Sequence, residues 1–117
     1  MKIHARRVYS EPATGEGHRV LVDRLWPRGK SKAELDGIPW VKSIAPSDGL
    51  RDWFGHDPDK WPEFKRRYFA ELDANPGGVA ELRKALGRGS NATLLYAAKD
   101  EEHNNAVALA EYLGRHS

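Results

Sequence analysis

Residues 18–25 have the sequence HRVLVDRL, in which the apolar run Val20-Leu21-Val22 gives way to charged side chains within one residue. A short aliphatic run without polar alternation is typical of an interior strand that is covered on both faces. A second run of this kind is Thr93-Leu-Leu-Tyr-Ala-Ala98. We therefore predict two buried strands, which lie far apart along the chain.

Amphipathic helices are predicted between these two strands. Trp61, Phe64, Tyr68 and Leu72 recur at steps of three and four residues, which is typical of the buried face of a helix. This helix is expected to begin at Pro58, because proline is favoured at the first helical position. Other helices are predicted over residues 30–35, 48–54, 79–86 and 100–113.

A third strand is predicted over residues 2–9, and a loop over residues 11–17. Strands that alternate with helices are typical of an α/β domain with a mainly parallel sheet. The chain has 117 residues, which is the length of one domain. We therefore predict a single compact α/β domain over residues 1–117, with a small, mainly parallel sheet flanked by helices.

The composition excludes several classes of protein. Cysteine is absent, which excludes disulfide scaffolds, iron–sulfur clusters and thiolate nucleophiles. The five histidines show no metal-ligand spacing, so we expect neither a metal nor a cofactor. No stretch approaches the roughly 18 consecutive apolar residues of a membrane span, and the first residues lack the apolar region of a signal peptide. We therefore expect a cytoplasmic protein without membrane contact.

Charged residues follow both predicted buried strands at the point where each strand ends. The sequence DRLWPR at residues 23–28 follows the first, and Lys99, Asp100, His103 and Asn104 follow the second. The carboxyl ends of parallel strands meet at one edge of a sheet, and ligands of open α/β sheets bind beyond that edge. We therefore predict a crevice between these two segments.

The side chains around this crevice favour a small anionic ligand. Arg24, Arg28 and Lys99 are expected to hold the anion, since arginine makes bidentate contacts with phosphates and carboxylates. Trp26 and Asn104 are further candidate ligand-binding residues. Tryptophan has the flat face that stacks on a ligand ring, although it more often belongs to the core.

Three further residues are candidates for acid–base catalysis at the same place. They are Asp23, Asp100 and His103, whose side chains can accept or release protons. His103 is expected in the first turn of the last helix, where the positive end of the helix dipole favours a neutral imidazole. A purely structural ionic network is the alternative for Asp23 and its neighbour Arg24. No nucleophile is visibly paired with a base, so the sequence leaves open whether the protein is an enzyme.

Four segments carry a resemblance to a known family. They are residues 19–29 (RVLVDRLWPRG), 40–47 (WVKSIAPS), 50–56 (LRDWFGH) and 93–100 (TLLYAAKD), the last followed by His103 and Asn104. Together they resemble the YeaO-like group of domain-of-unknown-function family 488. The resemblance covers nearly the whole chain. It implies a compact α/β fold with parallel strands, and it implies no established activity.

The same resemblance adds residues to the candidate site. Longer members of the broader family carry a Val-Gly-His-Ser-like sequence at the end of the first strand, and Val8-Tyr9-Ser10 hold the corresponding place in this chain. The resemblance therefore implies that Tyr9 and Ser10 lie at the same edge as the other strand ends. Those members also carry cysteines in and after the last strand. This chain has none, so any thiol chemistry of such relatives is not available to it.

Functions from different classes fit these patterns. The ionic strand ends favour a binding or catalytic pocket for a small anionic ligand, such as a phosphorylated metabolite or nucleotide. The alternative is a nucleic-acid-associated module without catalysis, which the pI near 9.0 permits and the evenly mixed charges, with a net of only +2, support weakly. An interaction protein without chemistry is a third possibility. The oligomeric state stays open.

Overall fold

The computed structural model describes residues 1–11 and 15–115. This part of the chain forms three strands, β1 (Lys2–Arg7), β2 (His18–Leu21) and β3 (Asn91–Tyr96). Its α-helices are α1 (Asp48–Phe54), α2 (Trp61–Asp73), α3 (Pro76–Leu86) and α4 (Asn105–Arg115), and two short 3-10 helices cover Lys42–Ile44 and Pro58–Lys60. Within the described residues, no helix has the length and apolar character needed to cross a membrane.

The three strands form one parallel sheet in the order β1-β3-β2. The predicted α/β class with a small parallel sheet is thereby confirmed. β3 is the central strand, and its Leu94 lies opposite Ala5 on one side and Val20 on the other. β2 lies at an edge instead of the interior position predicted for it. Its outer side is covered by a parallel bridge between Leu21 and Trp40.

Both faces of β2 and β3 are buried, which explains their continuous apolar sequences. Val20 and Leu94 belong to the main core, which includes the buried residues of the four helices. Leu21 and Leu95 alternate with them and therefore face the other side of the sheet. There they pack in a second, smaller core with Val8 and Leu35 and with partly buried residues of the segment after β2.

The first α-helix begins and ends at the residues that the sequence favours. Ser47 caps α1 by accepting a hydrogen bond from the Leu50 N–H at 3.2 Å, and α1 ends at Gly55, which has a positive φ of 55°. Ser47 also donates its backbone N–H and its hydroxyl to Glu71, at 2.9 and 2.6 Å, which ties α1 to α2. The predicted inner face of α2 is buried at Phe64, Tyr68 and Leu72.

Four helix predictions were wrong in part or in full. α2 begins at Trp61 and not at Pro58, because Pro58–Lys60 form a 3-10 turn first. α3 begins at Pro76 and not at residue 79, because Asn75 caps the helix by accepting the Gly78 N–H. The helix predicted over residues 30–35 is absent, and residues 32–37 form turns instead, because so short a segment does not offset the cost of helix nucleation. The last helix begins at Asn105 and not at Asp100. The side chain of Asp100 accepts two backbone N–H groups first and closes a separate turn. Of the loop predicted over residues 11–17, residues 12–14 lie outside the described residues.

Candidate functional site

A crevice of about 760 Å³ opens beyond the carboxyl ends of β2 and β3. Its walls come from the segment after β2, from α1 with the residues just before and after it, from α2, and from the segment that joins β3 to α4. Ligands of open parallel sheets bind at this edge, because several chain segments diverge there. The volume also lies within the range of roughly 300–1,000 Å³ that is typical of small-molecule sites.

Nine of the ten site residues predicted from the sequence line this crevice: Tyr9, Asp23, Arg24, Trp26, Arg28, Lys99, Asp100, His103 and Asn104. Ser10 is not among the lining residues. It is exposed and lies in a turn in which its N–H donates to the Arg7 carbonyl at 3.0 Å. The turn directs the chain away from the edge directly after β1, so only Tyr9 of this pair reaches the crevice.

The carboxylate of Asp23 connects three segments at the sheet edge. Its Oδ2 accepts the backbone N–H of Ala97 at 2.9 Å, just after β3. Its Oδ1 accepts the side-chain amide of Asn105 at 3.0 Å, and the same amide also donates to the Val22 carbonyl at 3.2 Å. Burial raises the pKa of Asp23, against the opposing effects of these hydrogen bonds and of the positive charge of Arg51.

We expect the Asp23 carboxyl to titrate with a pKa above 3.8, its ordinary value. A raised pKa means that the folded state binds the proton more tightly than the unfolded state does. The stability of the wild type relative to Asp23→Asn should therefore fall as the pH rises from below 3.8 through the folded-state pKa. Carbon-13 NMR of the carboxyl group and urea unfolding at several pH values measure both quantities.

Asp100 provides the internal control for this titration. The Glu102 N–H and the His103 ring both donate to its carboxylate, and they lower the pKa of Asp100 below 3.8. The two carboxyl signals should thus move apart on opposite sides of that value. An Asp23 midpoint at or below the Asp100 midpoint would contradict the structure.

A tight turn positions His103 and Asn104 directly before the N-terminus of α4. Asp100 Oδ1 accepts the backbone N–H groups of Glu102 and His103, at 2.9 and 3.0 Å, and its Oδ2 lies 2.9 Å from His103 Nδ1. Asn104 caps the helix, since its Oδ1 accepts the Val107 N–H at 2.9 Å. The prediction that His103 lies in the first turn of the helix was wrong, because Asn104 precedes that turn and His103 precedes Asn104.

The cationic side chains of the crevice are only partly neutralised. Arg24 and Arg51 share one carboxylate oxygen, Asp48 Oδ1, which lies 3.2 Å from Arg24 Nε and 3.6 Å from Arg51 Nη2. The side chains of Arg28 and Lys99 are exposed and have no hydrogen bond or ion pair with the described residues. Four cations and two carboxylates line the crevice. With Asp48, which pairs with two of these cations, the formal excess is one positive charge (4 − 3 = 1).

The two aromatic residues predicted for the site are held by hydrogen bonds of their own. Tyr9 donates its hydroxyl to the Arg28 carbonyl at 2.8 Å. Trp26 donates its indole N–H to the Lys30 carbonyl at 2.6 Å and packs edge-on against Trp40, with ring centroids 5.4 Å apart. These contacts fix the loop of residues 26–30 over one end of the crevice. Trp26 therefore serves the second core as well as the crevice wall.

Sequence reasoning missed several lining residues. Leu25 follows β2, but four others come from helices or helix starts: Arg51, Phe54, Phe64 and Asn105. Phe54 and Phe64 carry the pattern of core residues, and they are core residues that also line the crevice. For Asn105, its place at the start of the last helix was the available signal. Only the packing of α1 and α2 against the sheet edge brings the others to the site.

Trp53 of α1 lies close to two cationic side chains. The ammonium group of Lys60 is 5.1 Å from its ring centroid, and the guanidinium of Arg67 in α2 is 4.3 Å from it. Base stacking needs an open aromatic face. The nucleic-acid function stays a prediction, and we place no site on α2. No group of three or more metal-ligating side chains forms a candidate metal site in the part of the chain that the structure describes.

Comparisons with known proteins give consistent results. A family model described as the inactive DUF488-N3 subclade matches residues 2–116. The uncharacterized protein YeaO of Escherichia coli is 38% identical to this chain over 113 residues, which cover 97% of each chain. The uncharacterized protein Rv3073c of Mycobacterium tuberculosis is 39% identical over 112 residues, which cover 96% of this chain and 93% of that protein. No solved structure matches the chain.

Proposed function

The chain belongs to the DUF488 family, and on that premise we propose that it binds a small anionic ligand in the crevice without transforming it. A phosphorylated metabolite or a nucleotide has the required chemistry. The ligand lies beyond the carboxyl ends of β2 and β3, where the segments after both strands and the residues of α1 contact it.

The unpaired cations are the main observation in favour of an anionic ligand. Arg28 and Lys99 both line the crevice and follow different strands, and neither side chain has a hydrogen bond or ion pair with the described residues. Arg24 and Arg51 have only one carboxylate between them. A cleft with excess positive charge attracts anions and concentrates them. Arginine adds paired N–H groups that match phosphate and carboxylate oxygens.

The hydrogen bonds of the site favour binding over catalysis. Both oxygens of Asp23 accept protein hydrogen bonds, and those of Asp100 hold the turn before α4. Among the described residues that line the crevice, none is Ser, Thr or Cys, so a hydroxyl or thiol nucleophile of those types is lacking. The family description as inactive supports the same reading. The acid–base roles of Asp23, Asp100 and His103 stay predictions, and their contacts suit positioning.

The proposal predicts a loss of anion affinity when an unpaired cation is removed. Arg28→Gln and Lys99→Gln should each raise the Kd for inorganic phosphate about tenfold, or about 1.4 kcal/mol, because each removes a charged contact. Isothermal titration calorimetry at low ionic strength measures the change. Neither variant should unfold the protein, since both side chains are exposed and have no hydrogen bond or ion pair with the described residues.

Lys84→Gln is the matched control for these two variants. Lys84 is exposed on α3, away from the crevice, and its replacement removes the same charge. An equal weakening in all three variants would show that phosphate responds only to net charge and would overturn the proposed site. Conversion of a phosphorylated probe by the wild type, abolished in His103→Gln, would overturn the non-catalytic part of the proposal.

A further inference from the structure

Aromatic rings form one wall of the crevice. Phe54 and Phe64 stack on each other with centroids 4.4 Å apart, and Trp61 stacks on Phe64 at 5.6 Å. His103 packs edge-on against Trp61, with ring centroids 5.4 Å apart. Phe54, Phe64 and His103 line the crevice, and only 5% of Phe54 and 2% of Phe64 is exposed, so a small part of each of these two rings reaches the open space. Inorganic anions gain nothing from such a wall, whereas flat apolar groups do.

Exposed apolar side chains lie at the rim of the same crevice. Large hydrophobic residues are exposed at only three positions in the described part of the chain: Met1, Tyr9 and Leu25. Two of them, Tyr9 at 39% and Leu25 at 62% exposure, line the crevice. Leu25 directly follows Arg24 and is thus placed among the cations. A flat apolar ligand group that covered Tyr9 and Leu25 would remove their apolar surface from water, which is favourable.

We propose that the anion which this crevice binds carries an aromatic ring, so that the ligand is an aryl or heteroaryl phosphate or carboxylate. This inference rests on the proposed function and narrows its ligand class. The exposed cations Arg28 and Lys99 hold the anionic end at the rim. The ring lies between the exposed side chain of Leu25 and the aromatic wall that includes Phe54.

The size and charge of the crevice agree with a ligand that has an anionic group and an uncharged, flat body. Its volume of about 760 Å³ is that of a site for a drug-sized molecule rather than for a lone phosphate ion. The carboxylate of Asp23, at the sheet edge, repels a second negative charge there. The ligand therefore places its anion at the cationic rim and turns an uncharged, flat body toward the interior.

Four probes separate the ring from the anion. They are phenyl phosphate, ribose 5-phosphate, inorganic phosphate and phenol, each titrated by calorimetry into the full chain. We expect phenyl phosphate to bind at least about tenfold more tightly than ribose 5-phosphate or inorganic phosphate, because only its body is apolar. Phenol alone should show no measurable binding. The ring signals of Phe54 and His103 should shift in NMR spectra with phenyl phosphate only.

Two variants test the assigned contacts. Leu25→Ser should weaken phenyl phosphate several-fold and leave ribose 5-phosphate unchanged, and Arg28→Gln should weaken both. Both positions are exposed, so neither variant is expected to alter the fold.

Each other outcome has a definite meaning. Equal affinities for phenyl phosphate and ribose 5-phosphate would overturn the aromatic ligand and leave the anion site standing. Phenol binding as tightly as phenyl phosphate, or no binding of any probe, would overturn the anion site and the aromatic ligand together.

Discussion

Replacement of Gly17 by alanine should lower the free energy of unfolding by about 2–5 kcal/mol. Gly17 has a φ of +71°, a conformation that costs an L-residue about 1–2 kcal/mol. A Cβ atom there would also lie 2.0 Å from the carbonyl oxygen and 2.6 Å from the carbonyl carbon of Asn91. These are backbone atoms at the start of the central strand, and forcing such an overlap costs about 1–3 kcal/mol more.

Gly37→Ala is the matched control, measured by urea unfolding beside Gly17→Ala. Gly37 has a φ of +80°, but a Cβ atom there would meet nothing within 4 Å. It should therefore cost only the conformational part, about 1–2 kcal/mol. The difference between the two variants isolates the contact between residue 17 and β3. Equal losses in both variants would mean that β2 does not begin against the start of β3 as described.

Replacement of Leu94 by alanine should cost about 2–5 kcal/mol, the range for a large aliphatic residue removed from a packed core. Leu94 is fully buried at the centre of β3, and both neighbouring strands pair with it. The cavity would face the helices of the main core and could not collapse without moving the sheet. Thermal and urea unfolding should both show the loss.

Leu25→Ala makes the same chemical change at an exposed position. Because 62% of Leu25 is exposed, its truncation should change stability by less than about 0.5 kcal/mol. Under our inference it should weaken phenyl phosphate binding instead. Comparison of the two leucine variants thereby separates an effect on stability from an effect on ligand binding. A loss of stability in Leu25→Ala comparable to that in Leu94→Ala would show that residue 25 packs in the core and does not face a ligand.

Much of the fold follows from local sequence patterns. The run at residues 93–98 predicts a buried strand because both of its faces need apolar cover, and β3 is the central strand. Ser47, Asp57 and Gly55 mark helix boundaries through hydrogen bonds and backbone angles that depend on neighbours in the chain. The helix predicted from Asp100 fails for a local reason too. An aspartate side chain can cap a turn as readily as it can begin a helix.

The candidate site is predictable only where it follows the strands. Asp23 and Lys99 are charged residues directly beyond apolar runs, and a parallel sheet brings such strand ends to one edge. Arg51 and Phe54 give no comparable signal, because a residue on α1 reaches the crevice only through the packing of that helix. The sequence also gives no signal that Asp48 pairs with both Arg24 and Arg51.

The sequence by itself determined the α/β class, the two buried strands and the charged strand ends, since periodicity and capping act over a few residues. It also excluded thiol chemistry by lacking cysteine. Only the tertiary structure decided that β3 lies between β1 and β2 and that Asp23 connects the sheet edge to α4. It also decided that aromatic and cationic side chains line one crevice. Each of these depends on contacts between residues distant in the chain, whose partners are chosen by packing and not by local preference.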